Sequence, residues 1–62
     1  MTEKQFITMY QEAHNLDDID IKLKIDLIDR YMNAERVCKH LGIPCTYLHY
    51  DSQKDKLYLR LE

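Results

Sequence analysis

The chain contains one glycine, one proline and no tryptophan among its 62 residues. Because turns and loops are usually rich in glycine and proline, long irregular segments are not expected. A single glycine also excludes the glycine-rich loops that cradle phosphate groups. No apolar run approaches the ~20 residues that a membrane-spanning helix requires, and residues 1–5, MTEKQ, lack the apolar stretch of a signal peptide. These absences predict a cytoplasmic protein with short connections and no membrane partner.

The length and the charge of the chain set further limits. Sixty-two residues allow a single domain, residues 1–62, and a composition of 45% hydrophobic and 32% charged residues is typical of a folded protein. The core of so short a chain is marginal, and small domains often add a disulfide, a metal or a second subunit. Cys38 and Cys45 are expected to be free thiols in the cytoplasm. A net charge of −2 indicates no class of partner, although the acidic excess of residues 1–31 disfavours contact with nucleic-acid phosphates.

The first helix is predicted to run from residue 3 to residue 14. Thr2 and Gln5 have the spacing of a capping box, and Glu3 suits the positive end of a helix. His14 and Asn15 are expected to end this helix. Apolar residues recur at helical intervals within it, at Phe6, Met9, Tyr10 and Ala13.

Residues 19–28, IDIKLKIDLI, alternate apolar and charged side chains and admit two interpretations. With a period of two they form a strand over residues 19–27, which the alternating isoleucines favour. With the helical period they open a helix that continues to residue 41, where Gly42 and Pro44 stop it. No glycine or proline interrupts residues 19–41. We therefore expect one long helix, capped by Asp17 or Asp18, and keep the strand as the alternative.

On a helical wheel the long helix carries two apolar stripes that charged residues separate. The broader stripe is expected to face the core and consists of Leu23, Leu27, Tyr31, Ala34, Val37, Cys38 and Leu41. The second stripe runs along nearly the opposite side and consists of Ile21, Ile25, Ile28 and Met32.

After Pro44 the apolar period changes to two, which predicts a C-terminal antiparallel β-hairpin. Its strands are TYLHY and LYLRL, and a polar turn, DSQKDK, joins them. One face is expected to carry Thr46, Leu48, Tyr50, Leu57, Leu59 and Leu61 toward the core, and the other face Tyr47, His49, Lys56, Tyr58 and Arg60. The predicted fold class is therefore a small α+β domain of order α-α-β-β, with the second helix long.

The second stripe of the long helix is the predicted protein interface. One short helix and one hairpin are not expected to wrap both faces of so long a helix, so this stripe is left for a partner. The partner is either a second copy of the chain, giving a homodimer, or a different protein. Strand pairing at the hairpin edges is a second route to association. The alternative is a monomer in which helix 1 covers the stripe.

Residue types that carry chemistry occur in patterns that do not favour a chemical site. The possible zinc ligands, Cys38, His40, Cys45 and His49, have the spacing C-x-H-x₄-C-x₃-H, which is not a usual zinc spacing. The acidic connection at residues 15–20 lacks the glycine and the ligand order of a calcium loop. No nucleophile, base and orienting residue form a trio. We therefore expect no metal, no cofactor, no small-molecule substrate and no enzymatic activity.

A nucleic-acid site is the alternative function. The outer hairpin face would stack bases on Tyr47 and Tyr58 beside Lys56 and Arg60, or ERVCKHLGIP would open a winged helix-turn-helix. The patch is small, and the second helix of such a motif would be nearly free of basic residues. The sequence thus predicts a non-enzymatic interaction or regulatory protein of the adaptor or inhibitor type that associates with itself. A DNA- or RNA-binding regulator is the alternative.

Overall fold

A computed structural model describes residues 1–61 as two helices followed by a two-stranded antiparallel sheet. The elements are helix α1 (Glu3–Ala13), helix α2 (Ile21–Leu41), a 3-10 turn (Cys45–Tyr47), strand β1 (Leu48–Asp51) and strand β2 (Lys56–Leu59). The predicted α+β order is confirmed. The alternating stretch is helical from residue 21 onward, so the strand interpretation is wrong.

Helix α1 begins with the predicted capping box. The Gln5 backbone N–H donates to Thr2 Oγ1 over 3.2 Å, and the Thr2 N–H donates to Gln5 Oε1 over 2.8 Å. These two bonds satisfy backbone donors that the first helical turn otherwise leaves unpaired. The helix ends at Ala13, one residue before the predicted end, with His14 as its C-cap. Asn15 then takes a left-handed backbone (φ 53°), which asparagine adopts more readily than most residues.

Helix α2 begins two residues later than predicted, and its N-cap is neither Asp17 nor Asp18. Asp20 has an extended backbone (φ −72°, ψ 166°), and its Oδ1 accepts the Leu23 N–H over 2.7 Å. The Asp18 carboxylate accepts the neighbouring Ile19 N–H over 2.8 Å instead. Asp20 is the cap because its carboxylate meets a free N–H of the first helical turn, whereas Asp18 bonds a residue outside the helix.

Helix α2 ends where the sequence predicts. Gly42 has a left-handed backbone (φ 69°), and its N–H donates to the Lys39 carbonyl over 3.2 Å. Pro44 then precedes the 3-10 turn, which includes Thr46 and Tyr47. The prediction that these two residues lie in the first strand is wrong, because the strand starts only after this turn, at Leu48.

The hairpin pairs its strands in the expected alternation. Leu48 lies opposite Leu59 and Tyr50 opposite Leu57 in the antiparallel register. Leu48 and Tyr50 are buried, and their partners on β2 are partly buried against the core. The hairpin therefore presents one apolar face to the helices.

A single core joins α1, α2 and the hairpin. The fully or almost fully buried side chains are Phe6, Leu27, Tyr31, Cys38, Leu48 and Tyr50. The Phe6 and Tyr50 rings meet edge to face, with centroids 5.1 Å apart, a favourable arrangement for aromatic rings. Leu27, Tyr31 and Cys38 belong to the same cluster and show which side of α2 faces inward.

Four residues assigned to the core side from the sequence lie outside it, and one of them, Thr46, is exposed in the 3-10 turn. Val37 is 51% exposed, Leu41 is 56% exposed and Leu61 is 65% exposed. Strand β2 ends at Leu59, so Leu61 lies beyond the paired part of the hairpin. Cys38 is buried in the core cluster, whereas Val37 and Leu41 at the end of α2 are left exposed.

Candidate functional site

The predicted interface stripe lies on the surface of α2. We call Ile21, Ile25, Ile28 and Met32 the α2 ridge. Ile21 is 72% exposed, Ile25 is 59% exposed and Met32 is 51% exposed, while Ile28 is half-buried. Within residues 1–61, neither α1 nor the hairpin covers these three exposed side chains. The ridge is therefore available to a partner, and its use as an interface stays a prediction.

Helix α1 packs on the opposite face of α2. Phe6 of α1 is fully buried in the cluster that contains Leu27 and Tyr31. At about 100° per residue, Ile25 lies about 160° around the helix from Leu27. The monomer in which helix 1 covers the second stripe is thus not the arrangement observed.

A polar network holds the hairpin turn against α2. The Tyr50 hydroxyl donates to Asp55 Oδ1 over 2.7 Å, and Arg30 Nη2 contacts the same oxygen at 3.3 Å and the Asp55 carbonyl at 2.9 Å. The hydrogen bond from Tyr50, together with Arg30, lowers the pKa of Asp55, because both favour the ionised carboxylate. Burial, followed by the neighbouring Asp55, raises the pKa of Tyr50. This network links the hairpin to the core side of α2 and leaves the ridge side free.

Charged residues flank the α2 ridge and end it. Lys22 and Asp29 are exposed along one flank, and Lys24 is exposed along the other. Past Met32, the next positions at the same spacing are Glu35 and Lys39, whose side chains form an ion pair of 3.3 Å. The apolar part of the ridge therefore spans residues 21–32 and stops at a charged boundary.

The residues considered as metal ligands do not form a metal site. Among residues 1–61, no three histidine, cysteine or acidic side chains lie close enough together to hold an ion. Cys38 is buried and Cys45 half-buried, and both are free thiols. Burial raises the pKa of the Cys38 thiol, and the nearby Cys45 adds to the effect. At neutral pH Cys38 is therefore a poor nucleophile.

Of the residues of the nucleic-acid alternative, Lys56 and Tyr58 lie in β2, whereas Tyr47 lies in the 3-10 turn and Arg60 follows β2. Tyr47 is 41% exposed, Tyr58 is 42% exposed, and Lys56 and Arg60 are also exposed. The His49 and Tyr58 rings lie side by side with centroids 5.9 Å apart, as their opposite positions in the register require. The aromatic surface is small and has two basic residues beside it. Binding of nucleic acid there stays a prediction.

Sequence reasoning missed an open groove between α1 and the start of β1. It has a volume of about 600 Å³, and Gln5, Thr8, Met9 and Leu48 are among its lining residues. The sequence carries no local signal for this groove, because the groove forms only when the hairpin packs beside α1. The groove is open to solvent, and Lys4 and His49 are also among its lining residues.

Comparisons with protein-family models, curated proteins and solved structures gave no match for this chain. Within residues 1–61, neither helix combines the length and the apolar character needed to cross a bilayer. The cytoplasmic location and the lack of enzymatic activity stay predictions from the sequence. Function must therefore be inferred from the exposed surface, where Ile21, Ile25 and Met32 of the α2 ridge are each more than half exposed.

Proposed function

We propose that this protein is a non-enzymatic interaction module of a regulatory type, adaptor or inhibitor, that associates with a second copy of itself through the α2 ridge. The observation that supports the proposal is the exposure of Ile21, Ile25 and Met32 at the spacing of a helix–helix contact. A short chain with a marginal core has a physical reason to bury such a ridge against a second subunit.

The free energy available from the ridge is that of a weak dimer. The exposed fractions of Ile21, Ile25 and Met32 correspond to about 1.8 side chains per copy. At about 1.5–3 kcal/mol per buried side chain, two copies gain about 5–11 kcal/mol. Association costs about 4–15 kcal/mol in lost freedom of motion, so at most about 7 kcal/mol remains, which corresponds to a dissociation constant no tighter than about 10 μM. A reversible dimer that responds to protein concentration is the expected state.

The test is the Ile25→Asp variant, with Val37→Asp as the matched control. Both substitutions place a carboxylate at an exposed apolar position of α2, but only Ile25 lies on the ridge. By sedimentation equilibrium at high micromolar concentration, we expect wild type and Val37→Asp above the monomer mass of 7.5 kDa. Ile25→Asp should return to the monomer mass with unchanged helix content by circular dichroism.

Two results would overturn the proposal. One is a wild-type protein that remains a monomer at high micromolar concentration. The other is association that Ile25→Asp leaves intact, since a charge at the centre of the interface must weaken it. A dimer lost only in Val37→Asp would place the interface at the C-terminal end of α2 instead.

A further inference from the structure

We infer that two copies pair their α2 helices in antiparallel orientation, with Lys22 of each copy facing Asp29 of the other. This inference rests on the proposed self-association and adds the direction and the charge contacts of the pair. The α2 ridge of one copy thus packs against the α2 ridge of a second copy.

The spacing of the ridge supports a two-helix seam. Its residues are separated by four, three and four positions, which is the alternation of a and d positions in a heptad. In an antiparallel pair each a position faces a d position of the other helix. Ile21 then lies opposite Met32 of the second copy, and Ile25 opposite Ile28 of the second copy. All four layers are apolar, and the seam is symmetric about the midpoint between residues 26 and 27.

The charged boundary of the ridge disfavours the parallel orientation. In a parallel pair in register, each seam residue faces the same residue of the second copy. Glu35 would then face Glu35 of the second copy, and Lys39 would face Lys39, in direct continuation of the apolar layers. In the antiparallel pair these positions lie beyond the start of the other helix at Ile21, so the ion pair between Glu35 and Lys39 is left intact. Antiparallel helix dipoles also attract, whereas parallel ones repel.

The flanking charges complement each other in the antiparallel pair. Lys22 and Asp29 occupy the same flank, and the symmetry of the seam places Lys22 of one copy within about one helical turn of Asp29 of the other. The contact occurs twice, once at each end of the seam. On the other flank, Lys24 would meet the region of Tyr31, which is buried and carries no charge. A parallel pair would instead use Lys24 with Asp29.

The rest of the fold leaves room for this approach. Leu27 faces α1 and the hairpin, about 160° around α2 from Ile25, and Tyr31 is covered on the flank of the seam that Lys24 shares. Ile21, Ile25 and Met32 are each more than half exposed, so the two helices can meet along the ridge.

Charge reversal at three exposed positions tests the inference. Lys22→Glu should weaken the dimer by about 2- to 30-fold, because two surface ion pairs are lost at once. Lys24→Glu is the matched control and should change the dissociation constant by less than about 2-fold. The double variant Lys22→Glu/Asp29→Lys recreates both pairs with opposite polarity and should restore the wild-type affinity. The difference between wild type and Lys22→Glu should shrink as salt is raised.

Helix content by circular dichroism separates dimer loss from unfolding. Glutamate at position 22 lies in the first turn of α2, where a negative charge favours the helix, so the Lys22→Glu monomer should remain folded. Weakening by Lys22→Glu with rescue by Asp29→Lys would support the inference. Weakening by Lys24→Glu alone would overturn it in favour of a parallel pair. A dimer that none of these charges affects, but that Ile25→Asp abolishes, would overturn the antiparallel geometry while leaving the proposed function in place.

Discussion

Truncation of two apolar residues two positions apart on α2 should lower the free energy of unfolding by very different amounts. Leu27 is fully buried and Ile25 is 59% exposed. Leu27→Ala should lower the free energy of unfolding by about 2–5 kcal/mol, the usual cost of removing a buried leucine. A domain of this length has a total stability of about 3–9 kcal/mol, so the variant loses a large part of it. Ile25→Ala at low protein concentration should cost less than about 0.5 kcal/mol, since alanine also favours the helix.

The assay is urea denaturation followed by circular dichroism at low and at high micromolar protein concentration. Wild type should gain stability as its concentration rises, because the dimer forms only from folded chains. Ile25→Ala should lose that gain, so its deficit relative to wild type appears only at the high concentration. A cost above about 2 kcal/mol for Ile25→Ala at the low concentration would refute the reasoning, because it would mean that the monomer already buries the ridge.

Two further predictions concern the cap of α2 and the hairpin network. Asp20→Ala should lower the free energy of unfolding by about 0.5–2 kcal/mol in thermal or urea unfolding. Asp18→Ala is the control and should lower it clearly less. Equal losses in the two variants would contradict the assignment of Asp20 as the cap. Tyr50 and Arg30 lower the pKa of Asp55 in the folded chain, so the ionised carboxylate stabilises the fold. This stabilisation is fully present above the unfolded pKa near 3.8 and is lost as the pH falls through the folded pKa. Asp55→Asn should therefore flatten the fall in stability below pH ~4, measured by urea unfolding from pH 7 downward, and an unchanged acid dependence would show that other carboxylates cause it.

Local signals in the sequence predict most of the fold. The capping box at Thr2 and the stop at Gly42 act through neighbouring backbone groups, so each could be identified without knowledge of tertiary contacts. The start of α2 is harder to predict because Asp17, Asp18 and Asp20 all have side chains that can cap a helix. The choice between them depends on backbone geometry that composition does not reveal.

Tertiary packing determines which apolar residues of α2 are buried, and local signals in the sequence do not. The helical period correctly separates the two apolar sides of α2, but it cannot show how far the hairpin extends over one of them. For this reason the helical period predicts that Val37 and Leu41 lie in the core, whereas both are exposed. The exposure of the α2 ridge depends in the same way on where α1 packs, which only the structure shows.

The most direct test of the central claim is a dilution series of methyl NMR spectra on the wild-type protein. If the α2 ridge is the self-association surface, the methyl signals of Ile21, Ile25 and Met32 will shift with concentration, while the buried Leu27 methyls will move little. Spectra that do not change up to high micromolar concentration would contradict the claim. So would shifts confined to Val37 and Leu41 or to the hairpin.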